Sequence, residues 1–450
     1  MSKKINKILI ANRGEIALRI LRTCRELDIA TVCVHSTADE NSLHVKFADE
    51  SVCIGPAKST QSYLNIPAIL SAAEITGADA IHPGFGFLSE NTEFATMCEK
   101  WGISFIGPYK KCIELMGDKI RSKELAKEAG APVLEPIKVN GRKDADILKD
   151  VESMGLPVLI KSSAGGGGRG MRRIDQMSDI LSAIETLKTE ALAGFGDDTL
   201  FIEKYIVNPR HVEVQILGDK HGNVVHLGER DCTIQRRFQK LIEESPCPVI
   251  DQEKRKEICE SAVRIAKHVN YDSAGTVEFL YDLDDGKFYF MEMNTRIQVE
   301  HPVTEERTNI DLIKQMIFSA EGKELSFKQD EILFDGHTIE CRINAEDPKT
   351  QRPSPGKISY YHRPAGLGVR VDDFVYSGYN VPPFYDSMIS KVIVKAESRD
   401  QAIARMKRCL EEMVVEGIST NIPMHVEILA DADFISNKYS TNYLNEKNMI

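Results

Sequence analysis

No two of the ten cysteines in this 450-residue sequence stand at C-x-x-C spacing; they are scattered from Cys24 to Cys409. That absence excludes a thioredoxin-like redox pair. His82, His211 and His301 each lack a second histidine at ligand spacing, which argues against a structural zinc site. Scattered thiols read instead as reduced and mostly buried, as in a cytosolic protein. No apolar run comes near the roughly 18 residues that a membrane span needs. The N-terminal segment also lacks the apolar core and cleavage site of a signal peptide, so a cytoplasmic location is expected. Positive charge is scarce: 57 Lys and Arg stand against 68 Asp and Glu, a formal net charge of -11. General nucleic-acid binding needs a basic footprint and is not expected. The first strand-to-helix turn, Asn12-Arg13-Gly14-Glu15, has one glycine and not G-x-G-x-x-G, which argues against a dinucleotide site there.

What is present is the material of a multi-domain α/β enzyme. With 42% hydrophobic residues over this length, the chain can bury sizeable cores in two to four domains. Residues 7–11 read as a buried strand. Residues 15–27 read as a helix with Ile16, Ile20, Cys24 and Leu27 on one face, and further strands are predicted at 31–34, 78–82 and 103–107. Strand–helix–strand alternation predicts a doubly wound parallel sheet. A helix over about 118–129 ends at Gly130-Ala131-Pro132. A second α/β unit follows, with strands at 156–161 and 200–205. After Asn208-Pro209-Arg210 comes a strand-rich region, with strands at 211–217, 223–227, 275–281 and 287–294. More strands follow after about residue 336, then 391–394 and a helix that Asp400 would cap, with Ile403, Met406, Leu410 and Met413 inward.

Four consecutive glycines, Gly165, Gly166, Gly167 and Gly168, follow the strand at 156–161. Backbone N–H groups in such a loop can approach phosphate oxygens closely, and Lys161 at the strand end can reach the same oxygens. No Gly-Lys-Ser/Thr follows, so this is not a Walker A loop, and a flexible surface loop is the alternative reading. The strand Phe288-Tyr289-Phe290-Met291-Glu292-Met293-Asn294 is more telling. Period-2 alternation puts Glu292 and Asn294 on the face of Phe288 and Phe290, where a carboxylate and an amide are costly unless paired. Oxygen ligands at i and i+2 suit Mg²⁺. Glu278 has the same buried-acid character on the preceding strand, and a hairpin would bring Glu278 and Glu292 together. Arg296, Gln298, Glu300 and His301 follow at once. Arg296 could orient an anionic second substrate, and Glu300 could act as a general base if desolvated. Taken alone, residues 231–240, with Gln235, Arg236, Arg237 and Lys240, read as a basic helix face. Arg342, at a strand-like position, reads as a buried salt-bridge partner.

Together these parts resemble the ATP-grasp family in order and spacing: Lys119 after Met116-Gly117-Asp118, Lys161 with its glycine loop, Glu203-Lys204 on a strand, and Glu278 with Glu292 and Asn294. Within it, the chain resembles the biotin carboxylases over nearly its whole length. The motifs are Asn12-Arg13-Gly14-Glu15-Ile16-Ala17, His82-Pro83-Gly84-Phe85-Gly86, Glu229-Arg230-Asp231-Cys232, the run from Met293 through Gln298 and Glu300 to Pro302, and Cys341-Arg342-Ile343-Asn344-Ala345. The resemblance implies an α/β fold, α+β in its C-terminal part. A doubly wound domain over 1–117 is followed by an ATP-grasp domain over 118–334 with a lid at about 132–205, then by a mixed-sheet C-terminal domain over 335–450.

It also implies roles. Lys119, Lys161 and Gly165 to Gly168 hold ATP phosphates. Glu203, Lys204 and Ile206 receive the adenine, with His211 near the ribose and Gln235 lining the site. Glu278, Glu292 and Asn294 hold Mg²⁺, with Mn²⁺ as a substitute. Lys240, Arg296, Gln298 and the Val299 backbone hold bicarbonate, Glu300 deprotonates it, and Arg342 stabilises the biotin enolate near Phe85. Phe85 and Phe238 depart from the residues usual in the family, tyrosine and histidine. No Ala-Met-Lys-Met biotin attachment site is present, so biotin is expected on a separate carboxyl carrier protein, with separate carboxyltransferase subunits and a homodimeric enzyme. Another ATP-grasp ligase, such as a carbamoyl-phosphate synthetase half, and a non-catalytic ATP-binding module are the competing readings.

Overall fold

A computed structural model describes residues 4–163 and 170–449. Near the N-terminus, β1 (Lys7–Ile10), β2 (Ala30–Ser36), β3 (Glu50–Gly55), β4 (Ala80–His82) and β5 (Ser104–Phe105) form a sheet in the order β3-β2-β1-β4-β5, every pair parallel. Helices cover both faces, so after Lys7 the strand β1 is a continuous apolar run rather than alternating, and Ile8, Leu9 and Ile10 are all inaccessible. The helix Gly14–Glu26 buries Ile16, Ile20 and Cys24 as its spacing predicts. Its first residue, Gly14, has φ +68°, the left-handed conformation that glycine tolerates, and this lets the chain turn directly from strand to helix.

A small α/β unit follows, built on β6 (Ile137–Lys138), β7 (Val158–Ser162), β8 (Met171–Ile174) and β9 (Leu200–Lys204) in the order β6-β9-β7-β8. The helices Asp144–Met154 and Ile180–Phe195 pack on it around a core of its own that includes Val151, Ile160, Leu187 and Ile202.

The centre of the molecule is an eight-stranded sheet. Its strands are β10 (Pro209–Gly218), β11 (Val224–Arg236), β12 (Gln239–Ser245), β13 (Ala274–Asp282), β14 (Phe288–Asn294), β15 (His337–Asn344), β18 (Val369–Asp373) and β20 (Met388–Ala396), in the order β14-β13-β10-β11-β12-β15-β20-β18. The numbering leaves room for two short ribbons, β16 (Gly356–Lys357) with β19 (Asn380–Val381) and β17 (Tyr360–His362) with β21 (Val414–Glu416). The C-terminal part, expected as a mixed sheet, pairs its described strands antiparallel. One sheet crosses the expected boundary at 334/335, because β12 pairs with β15, Ile242 opposite Cys341. The helix Arg399–Glu412 packs Ile403, Met406 and Leu410 on this sheet.

Two sequence expectations are corrected. Residues 231–240 are a strand hairpin and not a helix face: β11 and β12 pair with Arg236 opposite Gln239, and Arg237 and Phe238 form the two-residue turn at φ +49° and +65°. The period of β14 is broken as well. Phe290 pairs with Phe279 and Glu292 with Glu278, leaving Met291 as a bulge. Phe288, Phe290 and Met293 stay in the core, while Glu292 and Asn294 line the cleft on the opposite face from the phenylalanines.

Candidate active site

The small unit, the central sheet and the N-terminal sheet enclose a cleft of about 1260 Å³. Of the residues singled out in the sequence, Phe85, Lys119, Lys161, Lys204, Ile206, His211, Gln235, Lys240, Glu278, Glu292, Asn294, Arg296, Gln298, Val299 and Arg342 all line it. Gly165, Gly166, Gly167 and Gly168 lie outside the described residues. Two others stand behind the wall. The Glu203 carboxylate is buried and turned to Lys161 Nζ at 2.8 Å, and it also pairs with Lys123. Glu300 is inaccessible, with a cation on each oxygen.

Those cations come from two strands. Lys240 Nζ, at the start of β12, lies 2.6 Å from Glu300 Oε1, 2.5 Å from Glu213 Oε2 and 3.0 Å from Glu278 Oε1. Arg342, on β15, lies 2.9 Å from Glu300 Oε2 and 2.5 Å from Glu243 Oε1. Burial alone would raise the Glu300 carboxyl, but Lys240 and then Arg342 outweigh it and hold the group well below its ordinary range. The same logic in reverse raises Lys240: burial opposes its charge, and Glu213, Glu278 and Glu300 more than restore it.

On the other side of Lys240, Glu278 Oε2 lies 2.9 Å from His211 Nε2, and Oε1 accepts from Asn294 Nδ2 at 2.8 Å. Gln235 lies 3.1 Å from His211 Nδ1. The predicted hairpin places Glu292 directly opposite Glu278. Burial, and then the charge of Glu278, raise the Glu292 carboxyl. Glu278 already has Lys240 and His211 beside it, but Glu292 in register with it is short of positive charge, and two carboxylates beside an amide oxygen are a hard-oxygen donor set that fits Mg²⁺. Arg296 reaches Glu90 Oε2 at 2.8 Å, Gln298 Oε1 at 3.0 Å and Asn294 Oδ1 at 3.0 Å, so it faces the cleft with its planar fork already aligned. Burial and the neighbouring Lys119 push the Lys161 ammonium down to about 8. Glu292 pulls the other way, while the Glu203 carboxylate beside Lys161 is shared with Lys123.

Family matches cover the chain from end to end. Residues 4–113 match "Biotin carboxylase, N-terminal domain", 118–328 match "Carbamoyl-phosphate synthase L chain, ATP binding domain", and 340–446 match "Biotin carboxylase C-terminal domain". A biotin carboxylase of Pseudomonas aeruginosa is 52% identical over 447 residues, 98% of each chain.

The chain belongs to the biotin carboxylase family.

Solved structures agree with the assignment. The biotin carboxylase of Campylobacter jejuni in its β-γ-ATP complex superposes with a TM-score of 0.94 at 51% identity, covering 98% of this chain and 99% of that one. The biotin carboxylase domain dimer of the Hydrogenobacter thermophilus 2-oxoglutarate carboxylase, with MgADP, ADP and bicarbonate, gives 0.93 at 47%, covering 99% and 98%. The carbamoyl-phosphate synthetase alternative is set aside, because the biotin carboxylase matches flank the shared ATP-binding domain on both sides.

Some residues of this biotin carboxylase cleft are missed by sequence reasoning. Glu213 is one, although it alternates with His211 and Gln215 on an apolar strand, the same signal that exposes Glu278. Glu243 lies beside Glu244 in the run Leu241-Ile242-Glu243-Glu244, where two adjacent acids face opposite sides of the sheet: Glu243 holds Arg342, while Glu244 pairs with His337 and Arg399. Lys123 sits one helical turn after Lys119 on the helix Lys119–Glu128, a spacing that places both on one face.

Proposed function

We propose that this chain catalyses the ATP-dependent carboxylation of biotin held on a separate carrier protein, with bicarbonate as the carbon source, the first half-reaction of a multi-subunit biotin-dependent carboxylase. The observation that carries it is the buried Glu300, clamped between Lys240 and Arg342 just behind the wall of the cleft that also holds the Glu278–Glu292 pair. Lys119 and Lys161 take the ATP phosphates. Lys204 and Ile206 line the wall assigned to the adenine, while Glu203 acts from behind by holding Lys161. His211 and Gln235 extend the nucleotide wall. Glu278, Glu292 and Asn294 would hold Mg²⁺, which supplies positive charge against the phosphate oxygens.

Bicarbonate lies against Lys240, Arg296, Gln298 and the Val299 backbone. An anion arriving there draws Lys240 away from Glu300, and a buried carboxylate that loses a cation becomes a stronger base. Glu300 then takes the bicarbonate proton. The freed oxygen attacks the γ-phosphorus and the bond to ADP breaks, giving carboxyphosphate. That species divides into CO₂ and phosphate. The phosphate removes the proton from the biotin ureido nitrogen, Arg342 stabilises the enolate, and the nitrogen attacks CO₂. Phe85 lines the biotin end. Closure of the cleft matters because carboxyphosphate hydrolyses in water.

The measurement is ADP release with ATP, Mg²⁺, bicarbonate and free biotin. Release that needs both bicarbonate and biotin is the expected result. Dependence on bicarbonate but indifference to biotin would remove the biotin assignment, and no turnover would favour a binding module. Co-purification of a biotin-carrying protein and carboxyltransferase subunits, and a dimer in solution, are the expected assembly.

A further inference from the structure

Lys391 is a charged side chain with no exposed surface. It sits on β20, directly opposite Arg342 in the sheet register. Its Nζ donates to the Val299 carbonyl oxygen at 2.7 Å and forms an ion pair with Glu15 Oε1 at 3.2 Å; Glu15, 2% exposed, lies in the first turn of the helix Gly14–Glu26. One ammonium thus joins three parts of the chain: the turn after β1, the loop between β14 and the next helix, and the C-terminal strands. Buried ion pairs are weak contributors to stability, and well-packed apolar replacements often do as well, so fold stability alone gives little reason for this one. The acceptor it has chosen is what matters. Val299 lines the cleft and adjoins Glu300. A peptide unit is planar, so holding the Val299 carbonyl fixes the plane that runs to the Glu300 Cα.

We infer that Lys391, backed by Glu15, is a positioning residue for the bicarbonate step: by pinning the Val299 carbonyl it sets both the backbone that faces the anion and the point from which Glu300 departs. The inference rests on the function proposed above. Lys391 touches no substrate and acts through Val299 and Glu300.

A merely structural clasp would affect both substrates alike, and a positioning role would not. In the full-length Lys391→Met variant, the KM for bicarbonate is expected to rise on the order of tenfold, the loss of one charge-assisted hydrogen bond. The KM for MgATP should stay within about twofold, since its wall is untouched. Lys391→Arg, which keeps charge and donors, should recover part of the loss. A bicarbonate KM unchanged in folded Lys391→Met, or both KM values rising in parallel, overturns the inference. If circular dichroism shows that Lys391→Met has not folded, Glu15→Gln/Lys391→Met, which also neutralises the Glu15 carboxylate, is scored by the same two KM values. Failure of both to fold would assign the pair to the fold and likewise overturn it. The unmodified protein is measured first: ADP release that ignores bicarbonate would sink the carboxylase reading itself, whereas bicarbonate-dependent release with an unmoved KM in the variants would sink only the role of Lys391.

Discussion

Glu300 has Lys240 on one carboxylate oxygen and Arg342 on the other, both at hydrogen-bond distance, and no exposed surface. Replacing it with glutamine keeps the volume and removes the base. Glu300→Gln is expected to lower kcat by about 10²–10⁴-fold, the usual worth of a positioned general base. Nucleotide affinity should stay near that of the unmodified protein, because Glu300 lies behind the cleft wall. Single-turnover ADP release and a nucleotide titration check the two halves, and retained turnover would remove Glu300 as the base. Lys161 gives a pH prediction. Its ammonium is pushed down to about 8, so it is charged below that pH and neutral above it. The charged form holds phosphate, so kcat/KM for ATP, which reports the free enzyme, should fall as pH rises from about 7 to 9. In Lys161→Met that limb should vanish along with most activity. The site residues legible in the sequence are those whose chemistry clashes with their surroundings, such as Glu278 and Glu292 among phenylalanines. Lys391 and Lys123 are not legible in this way. Lys391 opens the apolar run at 391–394, where a sequence reads it as a solvated strand end, and only the partner strands bury it. Lys123 has its partner Glu203 80 residues away, brought to it only when the small unit folds over the helix Lys119–Glu128.

At the scale of elements, the β11–β12 hairpin carries visible strain. Its two turn residues, Arg237 and Phe238, both have positive φ, where hairpins of this length favour Asn-Gly. Non-glycine residues held there cost of order 1 kcal/mol or more each and persist mainly at functional sites. Phe238 is 60% exposed and, with Arg237, lines the cleft. Arg237→Asn/Phe238→Gly is therefore expected to stabilise the hairpin by about 1–2 kcal/mol. A raised denaturant midpoint would show it, and a lowered one would mean that side-chain packing outweighs the backbone strain. The bulge at Met291 explains a different limit of sequence reading. Period-2 alternation locates the acids and predicts their hairpin, yet assigns them to the face of Phe288 and Phe290. One extra residue reverses every assignment beyond it, and no local composition marks where it falls.

At the scale of the whole molecule, the central sheet joins what the sequence divides. β12 and β15 pair across the boundary at 334/335, and the Glu300–Arg342 contact spans it as well. A chain ending at residue 334 would lose β15, β18 and β20, expose the edge of β12, and open the core that packs Ile242 against Cys341 and Val392. It is expected to aggregate rather than fold, because a long, newly exposed apolar edge is a template for pairing with other chains. Soluble, monodisperse protein by gel filtration with native-like circular dichroism would contradict this. Relatives of near-equal similarity include a free-standing biotin carboxylase and a domain of a 2-oxoglutarate carboxylase, so likeness of the fold and cleft does not specify the final carboxyl acceptor.

The reaction class is readable from the chain alone, because the residues that bind phosphate, metal and anion must have particular chemistry and stand in a particular order along the strands that carry them. So is the parallel N-terminal sheet, whose central strand is an unbroken apolar run from Ile8 to Ile10. Which charges meet is another matter, settled only when the chain is folded. Lys240 gathers Glu213, Glu278 and Glu300 from three separate segments, and Lys391 joins Glu15 to Val299 across most of the chain. Buried charges are stable only in combination, and the combination is set by strand register and bulges, which local sequence does not encode.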